Sequence, residues 1–268
     1  MRLLSLVTVF LLLLSSQLPA VEIGLDSNVD KQLGAQRLDN SLRSIEWFTL
    51  EYLRKAEQAE MAADSEQADF FLQKADESDE KASKIRWRAI KAWYLAGRDK
   101  KAHEISLRAA HIAKVRAELV ELRLHKNELD LERLLSHGKQ KEKSRSVLDI
   151  YPSYEVAYKH YVASAYQLFL EWTEVASMYD EAESYEEAEL YWQKSIDVMS
   201  FLFRLNDDNA HDEEIPYQTY IYDTQRALMR LENLQLSLEK NEQLELTRHA
   251  LQSLEKLNKT FFPEVVEH

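Results

Sequence analysis

His103 and His111 stand eight residues apart, with Glu104 beside the first, and this is the nearest approach to a metal-binding pattern in the chain. On a helix, eight residues are about two turns, so the two imidazoles share a face but lie roughly 12 Å apart. That is too far for one ion, and no metal site is expected. The acidic run Asp207 to Glu214 invites a calcium reading. It lacks the alternating ligand order and turn glycine of a calcium loop, and reads as a solvated linker. Lys84, Trp87, Lys91 and Tyr94 recur at three- and four-residue spacing, which places them on one face of a helix. Two ammonium groups interleaved with two aromatic rings suit an acidic segment or the C-terminal carboxylate of a peptide. The competing reading has Trp87 packed on a neighbouring helix, with the lysine stems covering it.

Catalytic chemistry has little else to work with. The 268 residues contain no cysteine, which excludes disulfides, thiolate nucleophiles and zinc–thiolate sites. Glycine-rich phosphate loops, HExxH and G-x-S-x-G are absent from the sequence. Paired carboxylates are plentiful, as on any charged helix face, and none stands out as an acid/base pair. The expectation is a non-enzyme without cofactors. A formal net charge of −13 argues against nucleic acid, whose phosphates it would repel.

The elements that carry these residues read as helices throughout. Only 4 Gly and 4 Pro occur, too few turn residues for a sheet protein of this length. Ala68 and Ala75 return as Ala102 and Ala109, an Ala-x6-Ala pair displaced by 34 residues. In a helical chain that period is the mark of stacked helical hairpins. Five hairpins are expected. The first spans 42–76 with its turn at Ala63-Asp64-Ser65, and the second spans 80–114 with its turn at Ala96-Gly97-Arg98-Asp99. Asp64 and Asp99 are the expected helix caps, and Gly97 the expected left-handed residue. The third spans 115–150 with a turn near His137-Gly138-Lys139 and a short charged helix over 141–149. The fourth covers 155–205, with a capping box at Ser184-Tyr185-Glu186-Glu187, and the last follows Pro216 over 217–258.

The N-terminus reads as an address. Arg2, the apolar run 3–14 and the segment Ser15 to Ala20 have the layout of a signal peptide over residues 1–20. A twelve-residue helix spans about 18 Å, short of the ~30 Å membrane core, so cleavage is favoured over an anchor. The expected product is exported, periplasmic or secreted. Residues 21–40 read as a flexible lead-in, 41–258 as the helical domain and 259–268 as a tail.

The segment from Trp172 to Ser195 resembles a tetratricopeptide repeat. Trp172, Val175, Ala176 and Tyr179 match that family's first helix, and Tyr185, Ala188, Trp192 and Ser195 match its turn and second helix. Ala89, Trp93, Gly97, Ala102 and Ala109 fit similarly, and Tyr52, Ala56, Ala59, Ala68 and Ala75 more loosely. The offset from Ala102 to Ala188 is 86, not a multiple of 34, so an irregular stretch separates the matching regions. The resemblance implies an all-α superhelical array, a tetratricopeptide-like α-solenoid, whose concave face binds peptides or protein surfaces. It puts Lys84, Trp87, Lys91 and Tyr94 on the groove.

Three functions follow as expectations. The first is an exported scaffold that binds a protein or peptide partner through that groove. The second is a self-assembling envelope component with Tyr217, Tyr220 and Tyr222 at its interface. The third is a small-ligand binder with a pocket lined by Tyr151, Tyr154, Tyr158, Tyr161 and Tyr166.

Overall fold

A computed structural model of the chain describes residues 28–141, 151–208 and 217–261. The signal-peptide reading, all but the first residue of the charged helix over 141–149, and most of the acidic run lie outside these residues.

The described residues form seven helices: α1 (Asn28–Met61), α2 (Ser65–Leu95), α3 (Asp99–Lys141), α4 (Tyr151–Glu181), α5 (Tyr185–Asp208), α6 (Tyr217–Ser237) and α7 (Asn241–Phe261). Each packs on the next in the chain, and α1 also packs on α3. The all-α expectation holds, but the hairpin count does not. The second helix of the first expected hairpin and the first helix of the second are one continuous helix, α2. Likewise α3 runs 43 residues, through the turn expected at His137-Gly138-Lys139. Residues 28–40, expected as lead-in, belong to α1 and bury Ala35 and Asp39.

The alanine period has a different physical origin from the one expected. Ala68, Ala75, Ala82, Ala89 and Ala96 are all buried and fall seven residues apart. On α1 the buried Ala35, Leu42, Thr49 and Ala56 keep the same spacing. A seven-residue repeat holds one seam of a helix against a partner over its whole length. Small side chains let the two backbones approach closely. Thr49 Oγ1 donates to Ser78 Oγ across that seam at 2.9 Å. The offset of 34 is the distance from the start of α2 at Ser65 to the start of α3 at Asp99, so it contains one long helix and one turn. A repeat hairpin would fit two of each into the same length.

Four turns share one geometry. Ala63, Gly97, Glu183 and Glu239 have φ of 60°, 66°, 56° and 57°. In each, the next residue's N–H bonds back to the carbonyl five residues earlier: Asp64 to Ala59, Arg98 to Trp93, Ser184 to Tyr179 and Lys240 to Gln235, all at 2.9–3.0 Å. This is the Schellman closure, which satisfies carbonyls that the helix end would otherwise leave bare. Asp64 caps α2 as expected, accepting from the Gln67 N–H at 3.0 Å. Asp99 is the first residue of α3 instead of its cap, and the preceding Arg98 carbonyl accepts the first bonds.

The largest core lies among α3 to α7. Trp172 stacks on Tyr191, which also stacks on Tyr179, both pairs at 5.3 Å between ring centres and 13° between planes. Val175, Ala176, Ala188, Trp192 and Ser195 are buried around them, so the residues that carry the family resemblance, apart from the exposed Tyr185, pack the α4–α5 hairpin.

Candidate functional site

A ladder of ion pairs fixes the α1–α2 hairpin against α3. Asp39 and Glu46 are buried on α1, and both accept from Arg108, at 2.6 Å and 2.8 Å. Further along, Glu60 receives Arg123 together with Lys126, which lies at 3.0 Å. From α2, Asp69 pairs with Arg123 at 2.7 Å and Asp76 with Arg116 at 2.9 Å. Burial opposes the charge on Arg108, but its hydrogen bond to Glu46 and the two carboxylates outweigh that and raise its pKa. Sequence reasoning missed this ladder. The signal was present, since Asp39, Glu46 and Glu60 recur at multiples of seven beside the apolar seam.

With one side of α2 locked in this way, the other is bare. Lys84, Trp87, Lys91 and Tyr94 share that outer face, while Ala82, Ala89 and Trp93 turn inward. Trp87 is 68% exposed, so the alternative in which it packs on a neighbouring helix does not describe this structure. Tyr94 is partly shielded, its ring edge-on to His103 at 6.1 Å. Lys84 is tied to Glu80 at 2.7 Å, and that hydrogen bond lowers the Glu80 pKa. Lys91 has no acidic partner among the described residues. The face therefore offers a large exposed indole, a phenol and one uncommitted ammonium.

No protein-family model matches this chain. No curated protein matches it either.

The other sequence expectations separate clearly. His103 faces Glu183, Nε2 to Oε1 at 3.7 Å, while His111 is exposed. Among the described residues no three acidic or histidine side chains are grouped to hold a metal. Tyr158 and Tyr161 are buried in the main core with Tyr154 half-buried against it, and the Tyr151 side chain lies outside the described set. Tyr166 instead donates to Asp223 Oδ2 at 2.6 Å. Tyr220, expected at an assembly interface, is buried at 1% exposure, whereas Tyr222 is exposed. No described helix is long and apolar enough to cross a membrane.

Proposed function

We propose that the protein is an exported interaction scaffold that holds a protein or peptide partner on the outer face of α2. The exposure of Trp87 carries this reading. A bare indole costs hydration free energy, and large exposed aromatics concentrate at protein interfaces. Lys91 beside it adds attraction for an acidic segment or a terminal carboxylate. The tetratricopeptide likeness of Trp172–Ser195 is in keeping with a binding role, since that family's helical arrays bind peptides and protein surfaces. Export rests on the residue pattern of positions 1–20. An affinity capture from envelope extract tests the reading, with the Trp87→Ala/Lys91→Glu double variant as control. Loss of a captured partner in the variant supports it, and equal capture by both sinks it.

Self-assembly is the second reading, and one observation favours it. Tyr222, Met229 and Leu236 are exposed on α6 at seven-residue spacing, the register of a helix–helix seam. Met229→Glu would then shift the mass measured by light scattering from oligomer to monomer. A wild-type chain that is monomeric at high concentration removes this reading.

A further inference from the structure

Helices α4, α5 and α6 enclose a cleft of about 400 Å³, within the size range of small-ligand sites. The hydrogen bond from Tyr166 to Asp223 fixes α6 alongside α4 at one end of it. Trp192 lines the cleft and is only 4% exposed, yet its indole N–H has no acceptor. The Thr173 hydroxyl, also on the lining, is buried without a partner. Both groups line the same cleft, and a buried donor left without a partner is costly.

Arg226 and Arg230 lie one turn apart on the α6 wall of the same cleft. Neither has a carboxylate partner among the described residues, although Asp180 and Glu181 line the cleft too. Two guanidiniums without an ion-pair partner, an indole N–H and a hydroxyl form at one end a donor set suited to a carboxylate, and the one acid beside them, Asp223, is already engaged by the Tyr166 hydroxyl. Asp180 and Glu181 stand seven and eight residues past Thr173, about two turns or ~11 Å along α4. They make the other end suited to an ammonium. Two extended residues span about 7 Å, and a hydrogen bond of ~3 Å at each end brings the reach near that separation. Ser177 lines the α4 wall between the two ends, and Leu170 and Ala227 add apolar surface beside the arginines.

We propose that this cleft binds a small zwitterion of dipeptide size. Its carboxylate sits at Arg226 and Arg230 beside the Trp192 N–H, and its ammonium at Asp180 and Glu181. This site lies apart from the Trp87 face and does not depend on it.

Calorimetric titration of the full chain with L-leucyl-L-leucine tests the proposal. Saturable binding is expected, weakened about tenfold or more by N-acetylation or by C-terminal amidation of the dipeptide. Arg226→Gln/Arg230→Gln changes only exposed residues, so the fold is kept, as circular dichroism would check, and affinity should fall by about tenfold. Trp192→Phe removes the N–H and should weaken binding several-fold. The proposal is overturned by the absence of saturable heat up to about 10 mM dipeptide, a limit set by millimolar affinity. Equal binding of the blocked dipeptides, or by the arginine variant, overturns it as well.

Discussion

Arg108 of α3 donates to Asp39 of α1 at 2.6 Å across 69 residues of sequence, and its Nε reaches Glu46 at 2.8 Å in the same interface. One guanidinium thus bridges two buried carboxylates one heptad apart, with Arg43 also on Asp39 at 3.3 Å and Arg86 at 4.0 Å from Glu46. The consequence is an asymmetry between removing the cation and removing the whole cluster. Arg108→Ala strips the closest cation from both carboxylates, leaving only the longer pairs to Arg43 and Arg86, and should destabilise the protein by about 2 kcal/mol. The triple variant Arg108→Leu/Asp39→Leu/Glu46→Leu replaces the cluster with apolar volume and should recover most of that loss. Urea denaturation of both variants checks the pair. A triple variant less stable than the single one would mean the ions are net stabilising.

Glu171 is the opposite case, a buried carboxyl short of partners. Gln167 donates to its Oε1 at 2.6 Å, but its Oε2 has none. Burial pushes its pKa above the ordinary value of 4.5, against the pull of Arg116. A raised carboxyl pKa stabilises the fold fully below the ordinary value, and that contribution is lost as pH rises through the folded pKa. At pH 7 the raised pKa is therefore a liability. Glu171→Gln should stabilise the protein there by about 1 kcal/mol. The advantage should shrink as pH falls toward 4.5, as read from paired melting curves.

How much of this was legible in the sequence follows from what each signal measures. Gly97 and Asp64 act locally, so the turns and the Asp64 cap could be read from residue type alone. Helix length could not. Residues 76–80 carry no glycine or proline, and an offset of 34 fits one long helix plus a turn as well as a hairpin. The seven-residue run from Ala68 to Ala96 distinguishes the two, but only when followed past two members. The bare face at Trp87 was visible as a periodicity, whereas its exposure depended on Trp93 taking the inward position. The Thr173–Trp192–Arg226 cleft joins three helices, and no local pattern marks it.

Tyr161 makes alkaline pH informative. Burial raises its pKa from 10.0 to about 12, with the charges of Glu128 and Glu132 adding to the shift. The unfolded chain surrenders that proton near 10.0, so stability contributed by the neutral phenol is present below pH 10 and lost between 10 and about 12. Tyr166, half-buried and donating to Asp223, shifts in the same direction. Base-induced unfolding should therefore set in above pH 10. Tyr161→Phe should flatten that limb of the stability curve. Tyrosinate absorbance at 295 nm, followed beside circular dichroism, would show the phenols ionising with unfolding and not before it.

The alanine seam should tolerate no added bulk. Ala82 has zero exposure and sits mid-seam between Ala75 and Ala89. Ala82→Leu would wedge α1 from α2 and should destabilise by about 2 kcal/mol or more, typical of overpacking in a tight core. A leucine at exposed Lys91 should change stability by less than about 0.5 kcal/mol. Equal effects at the two sites would mean that the seam is not closely packed.

The four turns provide the sharpest test of local backbone energetics. Ala63, Glu183 and Glu239 hold the left-handed conformation that only Gly97 adopts without a Cβ penalty. That conformation costs an L-residue about 1 kcal/mol, so Ala63→Gly, Glu183→Gly and Glu239→Gly should each stabilise the protein. The gain is reduced by the greater entropy of glycine in the unfolded chain, leaving several tenths of a kcal/mol per turn. Gly97→Ala runs the other way. A Cβ there meets nothing within 4 Å, so the loss reflects φ alone. The Ala63 gain should add to the other two in a triple variant, whereas Lys240 beside the Glu239 turn pairs with Glu189 of α5, so Glu183→Gly and Glu239→Gly are the pair in which coupling would show. Glu183→Gly also removes the carboxylate facing His103, so its gain should be the smallest of the three. A destabilised triple variant would mean that the turn side chains contribute more than the backbone strain removed.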